Sequence, residues 1–149
     1  MSTTTAAATK PSLTLKRRLN ASPAKVYAAW TDPKKIMQWF GPEGVTMVSA
    51  ESDPRAGGRY RFIARSPDGE THNVSGEFRE VVPNAKLVFT WSWISTPERT
   101  SLVTIALKPD GDGTILTLTH EQFFDEAARD RHQYGWTGAL DKLERFIVA

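Results

Sequence analysis

The side chains best suited to acid–base work in this sequence are two of its histidines, His120 and His132. An imidazole near its ordinary pKa of ~6.5 can take or give a proton at neutral pH. His120 follows Leu116 and Leu118 at alternating positions, and His132 falls on the apolar stripe of the last helical stretch, so the two can approach each other. A proton shuttle between them needs a carboxylate. Alternation turns Glu121 away from His120 and Glu77 away from Phe78. Two imidazoles also lack the third ligand of a metal site. The competing reading makes each a hydrogen-bonded core histidine. There is no HExxH, GxSxG, phosphate-loop or calcium-loop pattern, and Asp110 and Asp112 fit a hairpin turn. The absence of cysteine excludes disulfides, thiolate zinc, iron–sulfur clusters and a thiol nucleophile. No catalytic or metal-ligating residue is assigned, and no cofactor is expected.

A second constellation is aromatic. Alternation groups Tyr60 with Phe62, His72 with Val74 and Phe78, and Phe89 with Trp91 and Trp93. Val103 and His120 join from later strands, and His132, Gly135, Trp136 and Leu143 from the last helix. These fourteen residues are the candidate ligand-binding set. Rings with a few imidazoles suit a small apolar or aromatic ligand, stacked in offset geometry and oriented through a hydroxyl or carbonyl. The alternative is that the rings simply fill the core. A dry void of ~300 Å³ at ~24 cal/mol per Å³ costs roughly 7 kcal/mol, against a typical total stability of ~5–15 kcal/mol. Gly135 and Gly138 either thin the helix over a pocket or admit a bulky ring such as Trp93.

These residues need elements to hold them. Residues 12–19 alternate as a first strand, and Ser22-Pro23 and Asp32-Pro33 each read as an N-cap with proline in the first turn of a short helix. From Val45 to His120 the period is two, giving strands at 45–51, 58–65, 70–81, 86–94, 99–108 and 114–121. The stretches DPRAGG, SPDG, VPNA, STPE and PDGDG separate them, too short for parallel crossovers. After Phe124 the period becomes 3.6. Asp125 caps an amphipathic helix of roughly 23 residues, with Ala128, His132, Trp136, Ala139, Leu143 and Ile147 on one side. The prediction is an α+β chain: a curved antiparallel sheet of seven strands around one long C-terminal helix.

Length and charge limit the rest. The chain has 149 residues, within the range of a single domain, with a net charge of +2. Lys10, Lys16, Arg17, Arg18 and Lys25 all precede the first acidic residue, Asp32, and the remainder carries 14 basic against 17 acidic side chains. Arg59, Arg61 and Arg65 share one face of a strand, the solvated one, and nucleic acid is not expected as a partner. Residues 1–11 read as a flexible tail without the apolar stretch of an export signal, and 12–149 as a single domain. No membrane span is expected, and the cytoplasm is the expected location. Edge strands of such a sheet can pair in a homodimer.

Several segments resemble a known family. Trp39-Phe40-Gly41-Pro42, DPRAGGRYRF at 53–62, Phe89-Thr90-Trp91 and Thr117-Leu118-Thr119-His120 are similar to the bacterial heat-shock-protein-90 ATPase-activator-like group. His132, Gly135-Trp136, Leu140 and Leu143 match its closing pattern. The group belongs to the START-like (SRPBCC) superfamily, and the resemblance implies the helix-grip fold of the birch-pollen allergen. It implies binding of a small hydrophobic ligand between sheet and helix. It also admits a polyketide cyclase or hydrolase using His120 or His132, or an interaction module serving a chaperone or regulator. The co-chaperones that give the group its name carry an additional N-terminal domain for the chaperone, for which this chain leaves no room, so a chaperone partner is not expected. The shared motifs read as structural and bring no catalytic residue with them.

Overall fold

The computed structural model describes residues 10–148. The tail expected over 1–11 therefore lies, for residues 1–9, outside the described residues. Strand β1 (Leu13–Leu19) leads into helices α1 (Pro23–Thr31) and α2 (Pro33–Trp39). Strands β2 (Thr46–Ser52), β3 (Arg59–Arg65), β4 (Thr71–Val82), β5 (Lys86–Trp93), β6 (Ser101–Asp110) and β7 (Gly113–Glu121) follow, then helix α3 (Glu126–Ile147). The sheet order is β1-β7-β6-β5-β4-β3-β2, every neighbour antiparallel, as hairpin-length connections demand. This is the helix-grip arrangement: a curled sheet of seven strands holding one long helix.

The three helices start where their caps dictate. The Ser22 hydroxyl accepts from the Lys25 N–H, Asp32 from Lys34 and Asp125 from Ala128, so each satisfies a donor that has no partner within the helix. α1 and α2, of 9 and 7 residues, are too short to persist alone. Packing holds them. Val26, Ala29, Trp30, Ile36 and Trp39 are buried, and the Trp39 indole donates to the Ala29 carbonyl at 2.9 Å, pinning one helix to the other.

Helix α3 buries Ala128, Trp136, Ala139, Leu140, Leu143 and Ile147. Each large apolar side chain of this stripe contributes about 1.5–3 kcal/mol on full burial. Its flank is tied to edge strand β1, where Arg17 reaches Asp141 at 2.8 Å and Glu144 at 3.2 Å. Arg59, Arg61 and Arg65 lie on the exposed face of β3, as alternation requires.

One interruption in the sheet matters later. β4 and β5 pair at Ser75–Ser92 and again at Phe78–Phe89, with no regular pair between. A Cβ on Gly76 would lie 2.0 Å from the Thr90 carbonyl oxygen, so only glycine fits there. The Tyr60 hydroxyl donates to that carbonyl, and the Thr90 hydroxyl accepts from the Glu77 N–H at 2.8 Å. Side chains thus take over the polar groups that the ladder leaves unpaired.

Candidate functional site

A cavity of about 380 Å³ lies between the sheet and α3. Its floor comes from β3, β4 and β5 through Phe62, Val74 and Trp91, all buried. Its roof is α3 at Gly135, Trp136 and Ala139. A third wall is the segment after α2, with Phe40, Gly41, Pro42 and Val45. Met47, His72, Trp93 and Arg131 are partly or fully exposed and form the rim, so the cavity opens to solvent rather than being a sealed void.

Small residues on α3 make this geometry possible. Of the two readings of Gly135 and Gly138, close approach to a ring such as Trp93 is not the one found: both face the 41–45 segment. A Cβ on Gly135 would touch Pro42 Cγ at 3.5 Å, and one on Gly138 would crowd the Glu43 backbone nitrogen at 3.1 Å. The segment turns through Gly41 and Gly44, both in the left-handed region at φ 94° and 84°. It is clasped from the helix. The Lys142 ammonium donates to the carbonyls of Phe40, Pro42 and Val45 at 3.3–3.4 Å, and Arg145 reaches Glu43 at 2.8 Å. Partial burial moves the Lys142 pKa down.

Behind the roof the two imidazoles meet, their ring centroids 5.1 Å apart. Both nitrogens of each are engaged. His120 Nδ1 accepts from the Trp136 indole at 2.9 Å, so the proton of the neutral ring is on Nε2, 2.7 Å from the Ser101 hydroxyl. That hydroxyl in turn donates to the Trp91 carbonyl at 3.3 Å. His132 Nε2 accepts from the Trp93 indole at 2.9 Å, and its Nδ1–H donates to the Ala128 carbonyl at 2.7 Å. Charging either ring would set a second N–H against an indole N–H. Burial, with His132 beside it, holds the His120 pKa down to about 2, and burial also lowers that of His132. The two imidazoles thereby orient the indoles of Trp136 and Trp93.

The other sequence candidates divide cleanly. Phe62, His72, Val74, Trp91, Trp93, His132, Gly135 and Trp136 line the cavity. Tyr60, Phe78 and Phe89 do not, because they interlock with centroid separations of 5.4–5.8 Å under Trp30 and Ile36, leaving a gap of only about 10 Å³. Val103 and Leu143 are fully buried core, and His120 sits one layer behind Trp136. Sequence reasoning missed Phe40, Gly41, Pro42, Val45, Met47, Ala64 and Arg131 as wall residues. Ala64 was within reach of alternation, since it follows Tyr60 and Phe62 and pairs with His72 and Met47. The segment after α2 has no period to read. Among the described residues, no three His, Asp or Glu side chains converge as a metal site.

A curled seven-stranded antiparallel sheet holding one long helix is the helix-grip fold of the START-like class of proteins. Residues 20–147 match the family described as Activator of Hsp90 ATPase homolog 1-like protein, and the chain belongs to that family. Solved structures agree. A Chromobacterium violaceum protein is 28% identical, covers 91% of this chain and 96% of its own, and superposes with a TM-score of 0.85. A protein of this family from Silicibacter pomeroyi is 29% identical over 93% of this chain and 98% of its own, with a TM-score of 0.84. One from Nitrosomonas europaea is 26% identical over 91% and 93%, with a TM-score of 0.77. No curated protein matches the chain. No helix among the described residues is long and apolar enough to cross a membrane.

Proposed function

We propose that the protein encloses a small, mostly apolar or aromatic molecule in the cavity under α3. The observation that carries this reading is a hollow of about 380 Å³ walled by the rings of Phe40, Phe62, Trp91 and Trp136 and open at one rim. That volume is at the lower end of the ~300–1,000 Å³ typical of small-molecule sites. The indole N–H groups of Trp93 and Trp136 are turned to imidazoles, so they offer the guest their apolar faces. A reading in which His120 or His132 serves as an acid–base catalyst lacks a free ring nitrogen on either residue.

Titration of the tryptophan fluorescence with a library of small hydrophobic compounds tests the proposal. At least one compound is expected to give a saturable change and, at ~100 times its Kd, to stabilise the fold by about 2.7 kcal/mol. Ala139→Leu, which places a branched side chain in the roof, should weaken that compound at least about tenfold while the variant stays folded. No saturable response from any compound, or a response indifferent to Ala139→Leu, ends this reading.

A further inference from the structure

We infer that the occupant is an amphipathic aryl carboxylate, its ring held among Phe40, Trp91 and Trp136 and its carboxylate paired with Arg131 at the rim. This rests on the binding reading above and gives it a chemical class. Three observations carry it. Among the described residues, Arg131 is the only permanently charged side chain lining the cavity, and no acidic one lines it. Among the described residues, Arg131 has neither an ion-pair partner nor a hydrogen-bond partner for its guanidinium, unlike Arg17, Arg129 and Arg145 on or against the same helix. The acidic residue beside it, Asp130, is 3.1 Å from Arg129 instead.

Burying a charge among those rings would be prohibitive, so the occupant's charged end must stay at the mouth. The charged side chain that lines it there is positive. A guanidinium presents a planar fork that matches a carboxylate with two parallel bonds, and its stem can lie along apolar surface while the head remains wet. The wall composition selects the other end. Phe40 and Trp136 meet edge-on at 5.9 Å, and Trp91 and Trp136 lie tilted at 5.1 Å, so a flat ring finds both faces and edges to pack against.

Isothermal titration calorimetry with naphthalene-2-carboxylate and naphthalene-2-carboxamide, at low salt, separates the two ends. The native protein is expected to bind the carboxylate roughly fivefold more tightly than the amide, the range of a partly exposed ion pair. Arg131→Gln should erase that preference, and added salt should narrow it in the native protein only. Equal binding of both probes by the native protein, or a preference that survives Arg131→Gln, overturns the carboxylate class and leaves the cavity reading standing. Binding of neither probe overturns the inference as well. The hydrophobic library titration then decides whether the cavity reading falls with it.

Discussion

Strands β3, β4 and β5 carry rings along one face, but the two ends of that face are built differently. At one end Tyr60, Phe78 and Phe89 mesh into a solid layer beneath Trp30 and Ile36, with about 10 Å³ unfilled. At the other, Phe62, Trp91 and Trp93 stand below Gly135 and Ala139, with about 380 Å³ unfilled. The floors are chemically alike. What differs is the roof: two short helices bring a tryptophan and an isoleucine down onto the first end, whereas the long helix sets a single ring, Trp136, between a glycine and an alanine over the second. The break in the β4–β5 ladder around Gly76 and Thr90 lies between them. The hollow is therefore set by small residues above rather than by large ones below.

The comparison can be broken by substituting the floor at each end. Phe89→Ala, in the solid layer, should cost about 3–5 kcal/mol in denaturant unfolding. Trp93→Ala, at the half-exposed rim, should cost roughly half that or less, mainly by leaving His132 Nε2 without its donor. Equal losses would mean that both ends are packed alike.

Acid should act on the open end first, because only that end is backed by buried neutral imidazoles. His120 titrates at about 2 in the folded chain and near ~6.5 once unfolded, so the unfolded state takes up the proton first. The full stability is present above ~6.5 and falls as pH drops below it, by about 2 kcal/mol at pH 5 from His120 alone. His132, also shifted down, adds in the same direction. Unfolding midpoints at pH 7 and pH 5 check this, and a flat profile would sink the neutral-imidazole assignment.

The smallest effect sharpens the account of the roof. Gly135→Ala meets only Pro42 Cγ at ordinary contact distance and should stabilise the helix by about 0.5–1 kcal/mol. Gly138→Ala pushes against the Glu43 backbone, which cannot yield as a side chain does, and should gain nothing or lose. A difference of about 3 °C in Tm between the two variants is expected.

Most of the architecture could be read from local chemistry. The caps at Ser22, Asp32 and Asp125, the alternation from Leu87 to Trp93 and the 3.6 period through Trp136 are properties of neighbouring residues, and neighbours suffice to place elements. The site was legible only in part. Alternation brought His120 and His132 to one interior, but it could not say that each imidazole would be matched by an indole, since Trp93 is 39 residues from His132. Nor could it divide the ring-bearing face into a filled half and a hollow half. That depends on where α1 and α2 come to rest, and on a loop whose position is fixed by Lys142, about 100 residues away in sequence.

The Lys142 clasp also settles which wall can give way. One ammonium binding three carbonyls makes the 41–45 segment a fixed jamb rather than a hinged flap. Anything passing into the interior must cross the open rim instead, among Met47, His72, Trp93 and Arg131.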